Sequence, residues 1–170
     1  VSKPPTQDQD PSLLSDAGFI IVDDTQAALQ QLSTFHRLQF SIPVIGVTGS
    51  NGKTIVKEWL FQLMSPDKNI IRSPKSFNSQ IGVPLSVLKI DPEHELAIIE
   101  AGISRPGEMS KLEAIVRPSI GIFTNIGQAH NENFRSLTEK VKEKLILFRN
   151  SDILIYCKDH PEIANIINDS

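Results

Sequence analysis

The stretch Val44-Ile45-Gly46-Val47-Thr48-Gly49-Ser50-Asn51-Gly52-Lys53-Thr54 decides how this chain is read. An apolar run enters it, three glycines spaced three apart cross it, and a helical pattern beginning at Lys53 leaves it. A strand that turns through glycines into a helix brings backbone N–H groups close to an anion, and the helix start adds unpaired N–H groups and a positive dipole end. Lys53 would supply a point charge, and the Thr54 hydroxyl a ligand for Mg²⁺. The pattern predicts a phosphate cradle over residues 46–54, with Gly49, Ser50, Asn51, Gly52, Lys53 and Thr54 as its contact residues. The general P-loop pattern wants a glycine five residues before Gly52, and Val47 stands there, so that stricter match fails by one position.

Outward from the loop, short apolar β-rich runs alternate with helical patterns. The reading is strand 19–22 and helix 25–40, strand 43–47 and helix 53–64, strand 69–72 and helix 83–88. Strand 96–100 and helix 108–116, strand 120–124 and helix 137–149, then strand 152–157 and helix 161–167 complete it. Near-continuous apolar strands such as Ala97-Ile98-Ile99 are buried on both faces. The expected fold class is therefore α/β, a mainly parallel sheet flanked by helices on both sides. Ligands of such sheets bind at the carboxyl ends of the strands.

Composition bounds the function. At 170 residues with 39% apolar side chains the chain can bury one substantial core. A formal net charge of −3 provides no basic face, so nucleic acid is not an expected partner. No apolar run approaches the roughly 18–20 residues that span a bilayer, and residues 1–10 are polar, so membrane insertion is not expected. The single cysteine, Cys157, lies in an apolar run and is read as a buried strand residue, which fits a reducing cytoplasm. Residues 1–15, with three prolines among Asp, Gln and Ser, read as a linker.

Thr48-Gly49-Ser50-Asn51-Gly52-Lys53-Thr54 resembles the ATP loop of the Mur ligases, whose usual form, Thr-Gly-Ser/Thr-x-Gly-Lys-Ser/Thr, accounts for the Val47 departure. Ile81-Gly82-Val83-Pro84-Leu85, Glu100-Ala101-Gly102, Gly107-Glu108-Met109 and Thr124-Asn125-Ile126-Gly127 leading to His130 follow in the family's order. Their wording is similar to members that add D-alanyl-D-alanine to UDP-N-acetylmuramoyl-tripeptide in peptidoglycan synthesis, and the wording of residues 52–59 and 76–84 is similar to a subset fused ahead of an alanine racemase. The resemblance implies an ATP- and Mg²⁺-dependent amide ligase that works through an acyl phosphate. It divides the chain into residues 1–40, a linker and the end of a UDP-sugar-binding domain, and residues 41–170, an incomplete central ATP-binding domain. A third, closing domain is absent, and the segment is not expected to catalyse ligation alone.

The resemblance also assigns roles. Glu100, at the end of an apolar run, would join Thr54 as a Mg²⁺ ligand, since Mg²⁺ takes one or two hard protein oxygens beside phosphates and water. His130 would stand near a second Mg²⁺. Lys144 would be carbamylated by CO₂ and support that cation as an anion, a reaction that needs a neutral amine. Lys142 is a competing register for this lysine, and Lys140 alone shares a helical face with Lys144. Asn78 would reach phosphate or substrate, and Ser79 departs from an Asn-Asn pair expected there. His36, His94 and His160 have no comparable context. Three alternatives stay open: another amide ligase such as a folylpolyglutamate synthase, a nucleotide-binding module without chemistry, and a P-loop kinase or GTPase. The last lacks a guanine-reading Asn-Lys-x-Asp sequence.

Overall fold

The computed structural model describes residues 18–127 and 131–168. Helix α1 (Thr25–Arg37) is started by Asp24, whose carboxylate accepts from the N–H groups of Gln26 and Ala27, a cap that contributes about 1 kcal/mol. Five strands follow: β1 (Val44–Thr48), β2 (Ile70–Arg72), β3 (Leu96–Glu100), β4 (Ile120–Phe123) and β5 (Ile153–Tyr156). Between and after them run α2 (Lys53–Met64), α3 (Gly82–Val87), α4 (Glu108–Val116), α5 (Leu137–Leu145) and α6 (Pro161–Asn168). Every strand pairing is parallel and the order is β2-β3-β1-β4-β5. The sheet therefore directs all five carboxyl ends to one edge, with β1 at its centre.

Two cores hold the layers. On one face α2 sets Val56, Leu60, Phe61 and Met64 against Ile45, Val47, Ile70, Leu96 and Ile98. On the other, Val44, Ala97, Ile99 and Phe123 of the sheet meet Val83 and Val87 of α3, Met109 and Leu112 of α4, Val141 of α5 and Ile163 of α6. Each such side chain contributes about 1.5–3 kcal/mol on burial. Helix α1 forms a further layer on α3 and α4. The α2 face is only half covered. Ile153 and Ile155 of the edge strand β5 remain 53% and 52% exposed, whereas Leu154 and Tyr156 on the opposite side pack on the larger core.

Several expected boundaries move, each for a local reason. Residues 19–22 do not join the sheet, and Phe19, Ile20 and Ile21 are exposed; β propensity expresses side-chain packing on a half-buried sheet, not a preference of the backbone alone. Helix α1 stops at Arg37, short of the expected residue 40. The Arg37 guanidinium turns in to the carbonyls of Phe40, Ile42 and Val116 and ties the following turn to the end of α4. The expected helix 137–149 tightens at Leu145 into a 3₁₀ turn, Ile146–Phe148. Cys157 is exposed, contrary to the buried strand position expected for it. Phe123, the last residue of β4, pairs with Tyr156, so Cys157 falls just beyond the end of the sheet.

Candidate functional site

The loop between β1 and α2 holds its shape through two glycine positions. Gly49 has φ +149°, and a Cβ there would lie 2.0 Å from Thr124 Oγ1; Gly52, at φ +78°, opens α2 without a side-chain cap. The loop is strapped to residues 124–127 after β4. Ser50 N–H donates to the Asn125 carbonyl at 2.9 Å, Asn51 N–H to Asn125 Oδ1 at 3.0 Å, and Gly127 N–H to Ser50 Oγ at 2.9 Å. Thr124 Oγ1 in turn donates to the Asn51 carbonyl at 2.6 Å. These bonds engage the Ser50 and Asn51 amides. An anion is left with the first-turn N–H groups of α2, which have no intrahelical partner and no cap from Gly52.

Around that turn the sheet edge assembles charge. Lys53 Nζ folds back to the carbonyls of Gly49 at 2.9 Å and Ser50 at 3.3 Å, and burial lowers its pKa while Glu100 partly restores it. Thr54 Oγ1 donates to Glu100 Oε2 at 2.9 Å, and Asn78 Nδ2 to Glu100 Oε1 at 2.7 Å. Glu100, the last residue of β3, is 1% exposed. From α5, Lys144 is 3% exposed and donates to the Gly49 carbonyl at 3.3 Å. Its pKa is pushed down to about 7, first by burial and then by the charges of Lys53 and Lys140. Lys140, one turn earlier, donates to the Gly127 carbonyl at 2.5 Å, whereas Lys142 is exposed on the outer side of the helix. A cavity of about 300 Å³ opens here, with Gly49, Ser50, Lys53, Asn78, Glu108 and Lys144 in its wall.

The fold thus brings Lys53, Thr54, Asn78, Glu100 and Lys144 to one place, although they span 92 positions of the chain (Lys53 to Lys144, both included). His130 lies outside the described residues. Ser79 also stands in the cavity wall, and its Oγ accepts from Gly82 N–H at 3.2 Å. His36 bonds the Ile90 carbonyl and His94 pairs with Asp91, both away from the cavity. Two contributors were given no role by the sequence reading. Asn125, quoted only as part of the family wording that leads to His130, clamps the loop. Lys57 is completely buried beside Glu100, and nothing in a helix pattern of alternating charge and apolar residues marks it.

The donor set fits Mg²⁺. Glu100 and Thr54 offer hard oxygens side by side, and among the described residues no group of three or more His, Cys, Asp or Glu could hold a metal without help from phosphate and water.

Comparison with known proteins agrees with this arrangement. The family described as "Mur ligase middle domain" matches residues 47–170. The UDP-N-acetylmuramoyl-tripeptide--D-alanyl-D-alanine ligase of Bacillus subtilis (strain 168) is 36% identical over 149 residues, which cover 86% of this chain and 33% of that protein. A crystal structure of MurF from Acinetobacter baumannii superposes with TM-score 0.82 at 31% identity, over 90% of this chain and 35% of the other. The MurF ligase of Thermotoga maritima, solved in complex with ADP, gives TM-score 0.80 at 29% identity, over 88% and 36%. The chain spans about a third of the length of these relatives. With the strand-glycine-helix loop, the parallel sheet and the matched span all in agreement, the chain belongs to the Mur ligase family.

Proposed function

We propose that this chain is the ATP-binding part of a ligase that joins D-alanyl-D-alanine to UDP-N-acetylmuramoyl-tripeptide. The observation that carries the reading is the meeting of four side chains at the carboxyl edge of the sheet, Lys53 and Lys144 in the wall of one cavity and Thr54 bonded to Glu100. The names of the relatives supply the substrate pair, and the ADP complex of the Thermotoga maritima ligase supports the nucleotide.

The chemistry consists of two displacements. The terminal carboxylate of the tripeptide takes the γ-phosphoryl group of ATP, giving an acyl phosphate and ADP. The amine of the dipeptide then attacks the acyl carbon, phosphate leaves, and the amine's proton goes to a base. The protein's contribution is positioning and neutralisation of charge. First-turn N–H groups of α2 and the Lys53 ammonium hold the β- and γ-phosphates, with Gly49, Ser50, Asn51 and Gly52 giving the loop its form. Thr54 and Glu100 would hold Mg²⁺, which offsets charge on the phosphates. Asn78 orients Glu100. Lys144, about half in its neutral form at pH 7, can take up CO₂ at Nζ with loss of one proton and become an anion for a second cation, to which His130 is also assigned.

Calorimetric titration of MgATP into the protein tests the nucleotide step, with Lys53→Ala as control. Saturable binding that the variant loses is expected. Equal binding by both proteins, or none by the unsubstituted one, would remove the reading. Release of ADP on adding the tripeptide nucleotide and D-alanyl-D-alanine to a full-length ligase carrying this segment tests the substrate pair.

A further inference from the structure

Lys57 lies one turn of α2 beyond Lys53 and is 0% exposed. A buried ammonium persists only where protein oxygens replace its water. Here Nζ donates to the Ser73 carbonyl at 2.8 Å and to the Lys75 carbonyl, and lies 3.2 Å from Glu58 Oε1 and 3.7 Å from Glu100 Oε2. Glu58 is shared with Arg72, so Lys57 is not the only group that satisfies it.

Its two carbonyl partners root the segment that follows β2. Ser73 is 0% exposed, donates its N–H to the Ile98 carbonyl and accepts from Glu100 N–H at its own Oγ. Lys75 has φ +48°, a backbone region that side chains other than glycine, asparagine or aspartate seldom occupy, and its carbonyl is held by Lys57. Three residues later Asn78 donates to Glu100 Oε1 and accepts at its carbonyl from Gly102 N–H at 2.7 Å. One segment therefore meets Glu100 directly at Ser73 and at Asn78, and again through Lys57, which holds its root. Lys57 itself is not in the cavity wall.

We propose that Lys57 is a positioning residue for the divalent-cation site: by holding the Ser73 and Lys75 carbonyls it seats residues 73–80 on β3, aims Asn78 at Glu100, and so orients the carboxylate toward Thr54. This rests on the reading of Thr54 and Glu100 as Mg²⁺ ligands, but its first test does not. Direction separates positioning from plain electrostatics. A cation 3.7 Å from the carboxylate repels Mg²⁺, so on charge alone its removal would tighten metal binding. Loss of positioning loosens it.

The first measurement is the ¹⁵N NMR signal of the Asn78 side-chain amide in the nucleotide-free protein, identified by its disappearance in Asn78→Ala. In Lys57→Met the pair should move to the shift of exposed asparagines and exchange with water at least ten-fold faster. If that variant does not fold, Lys57→Gln, which keeps a neutral amide donor but not the charge, is read in its place. An unmoved Asn78 signal in a folded variant overturns the proposal. The second measurement is the affinity for ADP with Mg²⁺ and with EDTA. Lys57→Met should weaken binding about ten-fold with Mg²⁺ and less than two-fold in EDTA, and Lys57→Met/Asn78→Ala should be no weaker than Lys57→Met alone. Tighter or unchanged Mg²⁺-dependent binding, or equal losses in both conditions, would overturn it. If the unsubstituted protein binds no nucleotide, the functional reading fails, while the NMR signal still decides the positioning role.

Discussion

Thr54 and Glu100 meet through a hydrogen bond of 2.9 Å that joins the first turn of α2 to the last residue of β3. The hydroxyl is the donor, so its oxygen keeps lone pairs for a cation, and the carboxylate beside it supplies the negative charge. Replacing that charge is the direct probe. Glu100→Gln should weaken nucleotide binding at least ten-fold with Mg²⁺ present and little in EDTA, as read by calorimetry. It also leaves the Lys57 ammonium without one of its two carboxylates, so unfolding in urea should show a loss of about 1–3 kcal/mol. Equal affinity with Mg²⁺ would remove Glu100 from the metal site.

Gly49→Ala tests the loop itself. The new Cβ would stand 2.0 Å from Thr124 Oγ1 on a backbone at φ +149°. Either the loop or the 124–127 strap must shift, and both carry the hydrogen bonds that form the cradle. Loss of measurable MgATP binding is expected, with destabilisation of about 2 kcal/mol or more in chemical unfolding. A variant that binds as well as the parent would show that the cradle does not depend on this geometry.

Lys144 makes stability depend on pH. In the unfolded chain its amine holds a proton up to about pH 10.4; in the fold it gives the proton up above about 7. Between those values the unfolded state binds more protons, so this residue's contribution to stability rises with pH across that window, by up to about 1.4 kcal/mol per unit. The difference in unfolding free energy between the protein and Lys144→Met, measured from pH 6.5 to 9.5, should follow that slope. A flat difference would mean that the amine stays charged in the fold.

The same lowered pKa predicts carbamate formation. In ¹³C-bicarbonate at pH 7.5 to 8.5 the protein should show a carbamate carbon resonance that Lys144→Ala abolishes. Lys142→Ala should retain it, because Lys142 is exposed and has no such surroundings. Retention of the signal in Lys144→Ala would assign the modification elsewhere.

Much of this molecule is written in local pattern. The strand-glycine-helix order at residues 44–54, the apolar runs and the helix starts at Lys53, Glu108 and Leu137 depend on neighbours a few positions away, which is the range over which periodicity and glycine spacing act. Fold class follows, since alternating strands and helices with apolar strands have few ways to bury both faces. Where a single residue's fate depended on distant partners, local pattern failed. Residues 19–22 have strand composition but stay outside the sheet, and Cys157 has apolar neighbours but lies one residue past the end of β5.

The site divides the same way. Lys53 and Thr54 are legible because the loop that places them is contiguous in sequence. The rest of the site, by contrast, takes Asn78 from the segment after β2, Glu100 from β3 and Lys144 from α5, and their convergence is a property of the strand order β2-β3-β1-β4-β5. Which lysine of α5 faces the loop is decided by the roll of the helix on the core, which buries Lys140 and Lys144 and exposes Lys142. The chemical character of Lys144 is tertiary too, because its lowered pKa comes from burial and from two lysines that the fold brings close. Sequence alone determined the strand-glycine-helix loop and the class of sheet that carries it. Only the tertiary structure decided which buried charges stand beside that loop, because desolvation and charge pairing depend on distance in space and not on separation along the chain.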